Sequence, residues 1–465
     1  MTEPAPDSFR DRLGIVNTEG RRKWMYPKKP SGPFTRMRTI VSIALIAFLF
    51  GIPFVKVSGH PFMLLNIIER RFIIFGTGFG PHDFYLLVLA MIAFIVFIIL
   101  FTVVFGRIFC GWACPQTVFL ETVFRRIDYW IEGNHRQQRE LDNSPWNVTK
   151  VLKKFGRYII YYVIAFLIGN TLLSWVIGVD QVWTIATDPP SQHMAGLTAM
   201  LAFSLLFYWV FISFREQACI LVCPYGRLQG VLLDRNSIVI AYDFVRGEPR
   251  GKIRKGEDRS HGDCIDCGLC VDVCPTGIDI RNGTQLECVN CTACIDACDE
   301  VMEKISRPTR LIRYDSAEGI AHRTAFRWTA KAVSYAVALV LLLTVLTVLL
   351  VNRTEVDITI LRTPGMFYQE QPDGRVSNIY DVKILNKTFA RSTIGISLNG
   401  ISGEVRILGN DLTAPSQEVA EGKLIVVLDR NVLQGLSTPL KFDVFNNGKA
   451  IGTHTSTFLG PGKQQ

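Results

Sequence analysis

No apolar stretch of this sequence carries a helix-spaced pair of histidines, and no Cys-x-x-Cys-His occurs, so haem ligation is unsupported and no haem is expected. A Walker loop, a dinucleotide fingerprint and a G-x-S-x-G elbow are missing too, which leaves no motif for nucleotide hydrolysis, hydride transfer or serine-based acyl transfer. Histidine itself is scarce, at seven in 465 residues. His60, His82 and His193 are expected near the outer membrane face, where they could border a quinone pocket, and His261 and His322 near a cysteine-rich block; each reads first as an ordinary polar residue. The stretch 355–465 has no cysteine, so no disulfide staples it.

Long apolar runs are present instead. Five reach the length of about 20 residues that a helix needs to cross a hydrocarbon layer: Thr39 to Val57, Phe84 to Phe105, Tyr158 to Ile177, Ala195 to Phe214 and Lys331 to Val351. The first is preceded by a polar arm rich in Arg and Lys, and is expected to act as an uncleaved anchor. Basic residues crowd the chain before the first run, from Arg107 to Arg157 and from Arg215 to Arg327, while Val179 to His193 has no Lys or Arg. Under the positive-inside rule this places the N-terminus and both long basic segments in the cytoplasm and the C-terminus outside, in a bacterial inner membrane. The net charge of +9 follows the same distribution, so lipid bilayer and not nucleic acid is the expected partner.

The strongest chemical signal is Cys264-x2-Cys267-x2-Cys270-x3-Cys274-Pro275 followed by Cys288-x2-Cys291-x2-Cys294-x3-Cys298. Three thiolates at this spacing wrap one cubane and the fourth reaches the other, which assigns Cys264, Cys267, Cys270 and Cys298 to one 4Fe-4S cluster and Cys288, Cys291, Cys294 and Cys274 to a second. Zinc requires paired Cys-x2-Cys sets and leaves the third and fourth cysteines of each run unexplained. Asp299 stands where the second run would carry a proline; no ligand is lost by that change.

Four further cysteines repeat one pattern: Cys110-x3-Cys114-Pro115 after the second apolar run and Cys219-x3-Cys223-Pro224 after the fourth. Residues four apart share one helix face, so each pair could offer two thiolates to a soft metal such as Cu(I), and two pairs together would make one four-thiolate site. The plainer reading treats them as small apolar side chains. An amphipathic segment, Val118 to Ile131, follows the first motif.

The expected architecture is a multi-domain integral membrane protein. It has a cytoplasmic arm (1–38), a four-helix membrane domain (39–236), an α+β two-cluster ferredoxin-like insert (237–306), a linker (307–330), a fifth transmembrane helix (331–351) and an all-β immunoglobulin-like sandwich (355–465). The sandwich rests on seven short alternating runs separated by Gly, Asn, Pro and Asp, and is expected to pack or interact without chemistry of its own.

The two Cys-x3-Cys-Pro motifs, Arg246-Gly-Glu-Pro-Arg-Gly-Lys252, Cys264 to Cys274-Pro-Thr-Gly-Ile-Asp279, Cys294-Ile-Asp-Ala-Cys-Asp299 and the sandwich tail together resemble the FixG/CcoG (RdxA) family of cytochrome oxidase accessory proteins, from about Arg22 to the C-terminus. The resemblance implies maturation of a cbb-type cytochrome c oxidase by reduction of Cu(II) to Cu(I). It makes Cys110, Cys114, Cys219 and Cys223 the candidate copper-handling thiols, copper the substrate and the clusters the electron source. The implied partners are oxidase assembly factors, copper transporters or chaperones and a cytoplasmic electron donor of unknown identity, with a homodimer compatible. Two other classes stay open: a quinol-linked electron conduit similar to the membrane ferredoxins of periplasmic nitrate reductase, and a redox-sensing assembly scaffold.

Overall fold

The computed structural model describes residues 21–67, 70–252, 262–409 and 411–461. His261 lies outside them. The chain divides into two compact units: the described residues up to Val55 with Leu89–Thr344, and Lys56–Val88 with the described residues from Val345 onward.

Among the described residues five helices are long and apolar enough to cross a membrane: Pro33–Phe54, Pro81–Phe105, Val148–Ile177, Met194–Phe214 and Ala330–Val351. Two boundaries differ from the hydropathy reading. The first helix starts six residues before Thr39, because Pro33 fits a first helical turn and the Asp296 carboxylate accepts from the free amides of Phe34 (3.1 Å) and Thr35 (2.7 Å). It also ends by Phe54, short of Val57. The third starts ten residues before Tyr158: Asn147 caps it through Lys150 N (2.7 Å), and Lys154 and Arg157 stay helical because Glu132 neutralises both at 2.9 Å. Hydropathy marks the apolar part of a helix and is blind to a charged extension whose counter-ions come from elsewhere in the chain.

The described part of the arm is held by hydrogen bonds to two neighbours. Lys28 N donates to Asp272 O of the cysteine-rich domain (2.7 Å), and Pro27 O accepts from Tyr129 Oη (2.9 Å) on the helix Arg125–Ile131 that follows the first elbow. Gly32 has φ +148°, and a Cβ there would stand 2.4 Å from Asp296 Cγ, so only glycine lets the helix start reach its capping carboxylate.

The cysteine-rich domain is α+β. Val239–Tyr242 pairs antiparallel with Ile312–Asp315, and helices Leu269–Asp272 and Ala293–Lys304 pack beside that ribbon around Ile240, Ile278, Ile295, Met302 and Leu311. The border drawn at residue 306 is therefore too early. Leu311 and Ile312 are core residues, and the stretch read as linker supplies the second strand.

In the second unit the seven expected strands form, with short additions. One antiparallel sheet runs Gly403–Leu408, Val419–Leu428, Val376–Asn386, Val356–Arg362, with Gln369–Glu370 at one edge; the other runs Thr413–Ala414, Ser392–Asn399, Ser437–Asn446, Lys449–Leu459. Alternation drives this: Val376, Tyr380, Val382 and Ile384 point into a core shared with Leu424, Leu440, Phe442 and Phe458. Tyr380 meets Phe442 edge-on (5.6 Å) and donates to Thr457 O (3.0 Å), joining the two sheets. Short strands Met63–Asn66, Arg71–Ile74 and Thr77–Phe79 belong to this unit as well. There the buried Asp83 pairs with Arg353 (2.8 Å) and Lys387 (3.2 Å). These strands were not anticipated, since three or four residues give alternation too little room.

Phe442→Ala is expected to destabilise the sandwich by about 3–5 kcal/mol. Limited proteolysis of the full chain in detergent should then cut within 356–459 before any other region.

Candidate functional site

The two cysteine runs repeat one backbone path. Cys264-Ile-Asp266-Cys-Gly268-Leu-Cys270 and Cys288-Val-Asn290-Cys-Thr292-Ala-Cys294 both place their third and fifth residues at positive φ: Asp266 and Asn290 at 53°, Gly268 at 71°, Thr292 at 67°. Asp, Asn and Gly enter the left-handed region readily, whereas a β-branched residue is an outlier there. Thr292 is held by complete burial and by donation from its hydroxyl to Cys291 O (2.5 Å). Gly268 and Thr292 then head the helices that carry Cys270 and Cys294. The turns fold their cysteines inward except for Cys267, which is exposed.

Two cavities result. Cys264, Cys267, Cys270 and Cys298 line one, with Tyr242 and Arg281 at its wall. Cys274, Cys288, Cys291 and Cys294 line the other, which Cys270 also borders, and its remaining walls are almost wholly aliphatic. Burial pushes the Cys270, Cys288 and Cys298 thiols up to about 12, so thiolate is the stable form only beside a bound cation. Thiolates about 2.3 Å from one zinc would stand about 3.8 Å apart. Among the described residues no three or more His, Cys, Asp or Glu side chains are gathered closely enough to hold a single metal ion. A donor set of four sulfurs around a largely aliphatic cavity fits a polynuclear iron-sulfur group.

Three arginines that sequence reading passed over bring positive charge to these thiols. Arg281 borders the first cavity, paired with Asp279 (2.7 Å) and Asp266 (2.5 Å), and its charge works against the upward shift of Cys270. Arg38 and Arg107 act likewise on Cys291 and Cys288. The last two lie far away in sequence, where no motif signals them.

The Cys-x3-Cys pairs do not lie along one continuous helix face, contrary to the spacing argument. Cys110 is in the short helix Ile108–Trp112 and Cys219 in the turn Ala218–Val222, while Cys114 and Cys223 are extended residues (ψ 124° and 114°) that each cap a new helix beginning at proline. The following proline disfavours helical backbone at the second cysteine. Its amide bonds five residues back in both copies, Cys114 N to Phe109 O and Cys223 N to Ala218 O, each 2.9 Å.

The two elbows bring these thiols near enough for each to feel charge on the others, yet among the described residues they too are not gathered closely enough to hold a single metal ion. Burial pushes Cys110 up to about 11 and Cys219 to about 12; charge on Cys114 and Cys223 adds to the first, and charge on Cys114, Cys110 and Cys223 to the second. Gln229, fully buried, donates to Cys110 Sγ (3.3 Å).

The first elbow also sits on the second cysteine run. A Cβ on Gly111 would lie 2.5 Å from Val289 O and 2.6 Å from Asn290 O. Arg38 Nε donates to Gly111 O (2.8 Å), Trp112 Nε1 to Tyr314 Oη (3.0 Å) and Tyr314 Oη to Asn290 O (3.3 Å). Arg107 donates to both Leu286 O and Gly226 O, tying the second elbow to the same seam. One residue thus separates Cys110 from backbone contact with the Cys288–Cys291 turn. Of the histidines, His60 stacks on Phe389 (4.0 Å), His82 borders a cavity beside Asp83, and His193 and His322 pair with Asp188 and Glu318 (3.1 Å each).

Gly111→Ala is expected to force the elbow off the cysteine-rich domain. Iron retained per chain after anaerobic purification should fall, whereas Ala113→Gly, two residues on, should leave it unchanged. Residues 214–317 match a family described as a 4Fe-4S dicluster domain, 87–134 one described as a 4Fe-4S binding domain, and 346–461 one described as an IG-like fold at the C-terminus of FixG. Protein RdxB of Cereibacter sphaeroides is 31% identical over 446 residues, covering 88% of this chain and 89% of that protein. RdxA of the same organism is 32% identical over 395 residues (82% and 83%), and the nitrogen fixation protein FixG of Rhizobium meliloti 30% over 448 residues (87% and 84%). With likeness running through membrane helices, cysteine-rich domain and sandwich alike, the chain belongs to the FixG/RdxA family and is a membrane iron-sulfur electron-transfer protein.

Proposed function

We propose that the protein reduces Cu(II) to Cu(I) during assembly of a cbb-type cytochrome c oxidase, with the N-terminus and cysteine-rich domain in the cytoplasm and the sandwich in the periplasm. Cys264, Cys267, Cys270 and Cys298 would hold one 4Fe-4S group, and Cys274, Cys288, Cys291 and Cys294 the other. Such groups, when bound, exchange single electrons. Copper enters as substrate at Cys110, Cys114, Cys219 and Cys223.

The observation that carries this reading is the seam between Gly111 and the Val289–Asn290 backbone, which sets a soft-metal donor group one residue from a cysteine run. Reduction of Cu(II) takes one electron, and thiolates favour the Cu(I) product. The burial that raises Cys110 and Cys219 keeps them protonated until a metal displaces the protons, so free thiolate is scarce and copper binding is coupled to proton release. Gln229 fixes the orientation of Cys110. Arg107 holds the two elbows in register through Leu286 and Gly226.

Cys110→Ser combined with Cys219→Ser is expected to abolish stoichiometric copper binding and cupric reductase activity while iron per chain stays at the wild-type value. Unchanged copper binding would discard the site. Loss of iron together with copper would reduce the four thiols to a packing role.

A further inference from the structure

The span Val148–Ile177 has 30 residues, about 45 Å at 1.5 Å per residue, whereas a hydrocarbon layer takes about 20 residues. Its uncharged part is Tyr158 to Ile177. The turns bearing Lys150, Lys154 and Arg157 therefore stand at headgroup depth. Their outer side is apolar, with Val151, Leu152 and Phe155 exposed and Trp146, just ahead of the helix, 76% exposed.

Behind these turns lies a cavity of about 450 Å³, a size that suits a small ligand, lined by the cations Arg125, Lys150, Lys154, Arg157 and Arg215. Three carboxylates share it, and each is engaged: Asp128 with Arg215 (2.8 Å), Glu132 with Lys154 and Arg157 (2.9 Å each), Asp142 with Lys154 (2.5 Å). Arg125 is different. It is 3% exposed, with Nε 3.0 Å from Glu121 and Nη2 3.7 Å from Glu216, yet none of its three guanidinium nitrogens makes a hydrogen bond. With Arg22, Glu121 and Glu216 included, six cations face five carboxylates, and the unmade hydrogen bonds of a buried guanidinium are costly even beside two carboxylates.

We propose that this cavity binds the phosphate of an anionic phospholipid. The guanidinium fork of Arg125 matches two phosphate oxygens, and the cavity's one surplus positive charge matches a phosphodiester. The acyl chains run from Tyr158, which borders the cavity, along the exposed Ile159, Tyr162 and Val163 deeper on the same span. A basic pocket of this kind at the end of a span, flanked by an exposed Trp, has the character of a headgroup site. It makes no use of the twelve cysteines.

The test uses the full-length protein, delipidated in detergent and titrated with phosphatidylglycerol, phosphatidylcholine or inorganic phosphate under native mass spectrometry. One phosphatidylglycerol per chain should be held roughly ten-fold more tightly than phosphatidylcholine, and Arg125→Gln should erase that preference. Because Arg125→Gln risks misfolding, Lys150→Gln is measured beside it; Lys150 is buried as well, but its Nζ donates to the carbonyls of Asp142 (2.9 Å) and Ser144 (2.6 Å), which a glutamine amide can still serve. This variant should lose several-fold of the preference with iron content unchanged. Equal affinity for the two lipids overturns the proposal. So does saturation by inorganic phosphate with no lipid retained, or a preference that survives both substitutions.

Discussion

The contact between the Gly111 backbone and the carbonyls of Val289 and Asn290 organises the electron-transfer half of this molecule. It leaves no room for a side chain, so the membrane-edge elbow and the second cysteine run meet main chain to main chain. Arg38, Trp112, Tyr314 and Arg107 then lock the seam with hydrogen bonds from four directions. The thiols of the elbow on one side and the cysteine run Cys288–Cys294 on the other are thereby kept at fixed separation. Such positioning suits electron transfer, which needs closeness and little motion.

Charge placement follows from that arrangement. Buried cysteines are poor thiolates, and the domain meets this with arginines brought in from the membrane helices and from the loop after the first run. The same economy governs the helix ends. Asp296, on the helix that carries Cys294 and Cys298, caps the first span, so this cysteine-bearing helix and the membrane anchor are joined through one carboxylate. A change in either would be felt by the other.

Much of this was legible from the sequence. Spans announce themselves because hydrocarbon thickness imposes a length, and the seven sandwich strands because one face of each must be apolar. The cysteine spacing separates eight thiols into two crossed sets of four, the sets that line the two cavities. What escaped depends on partners distant along the chain. The charged start of the third span is stabilised by Glu132, the ordered arm by Asp272 and Asp296, and the second strand of the cysteine-rich domain by pairing some 70 residues back. The elbow was misjudged for a local reason: spacing suggested a shared helix face, but the proline after each pair breaks the helix at the second cysteine.

The central claim is that two iron-sulfur cubanes sit in the cavities between Cys264 and Cys298. Iron, acid-labile sulfide and zinc determined together on anaerobically purified full-length protein test it most directly. About eight irons and eight sulfides per chain are expected from two cubanes. Zinc in place of iron, or a colourless protein with neither, would contradict it.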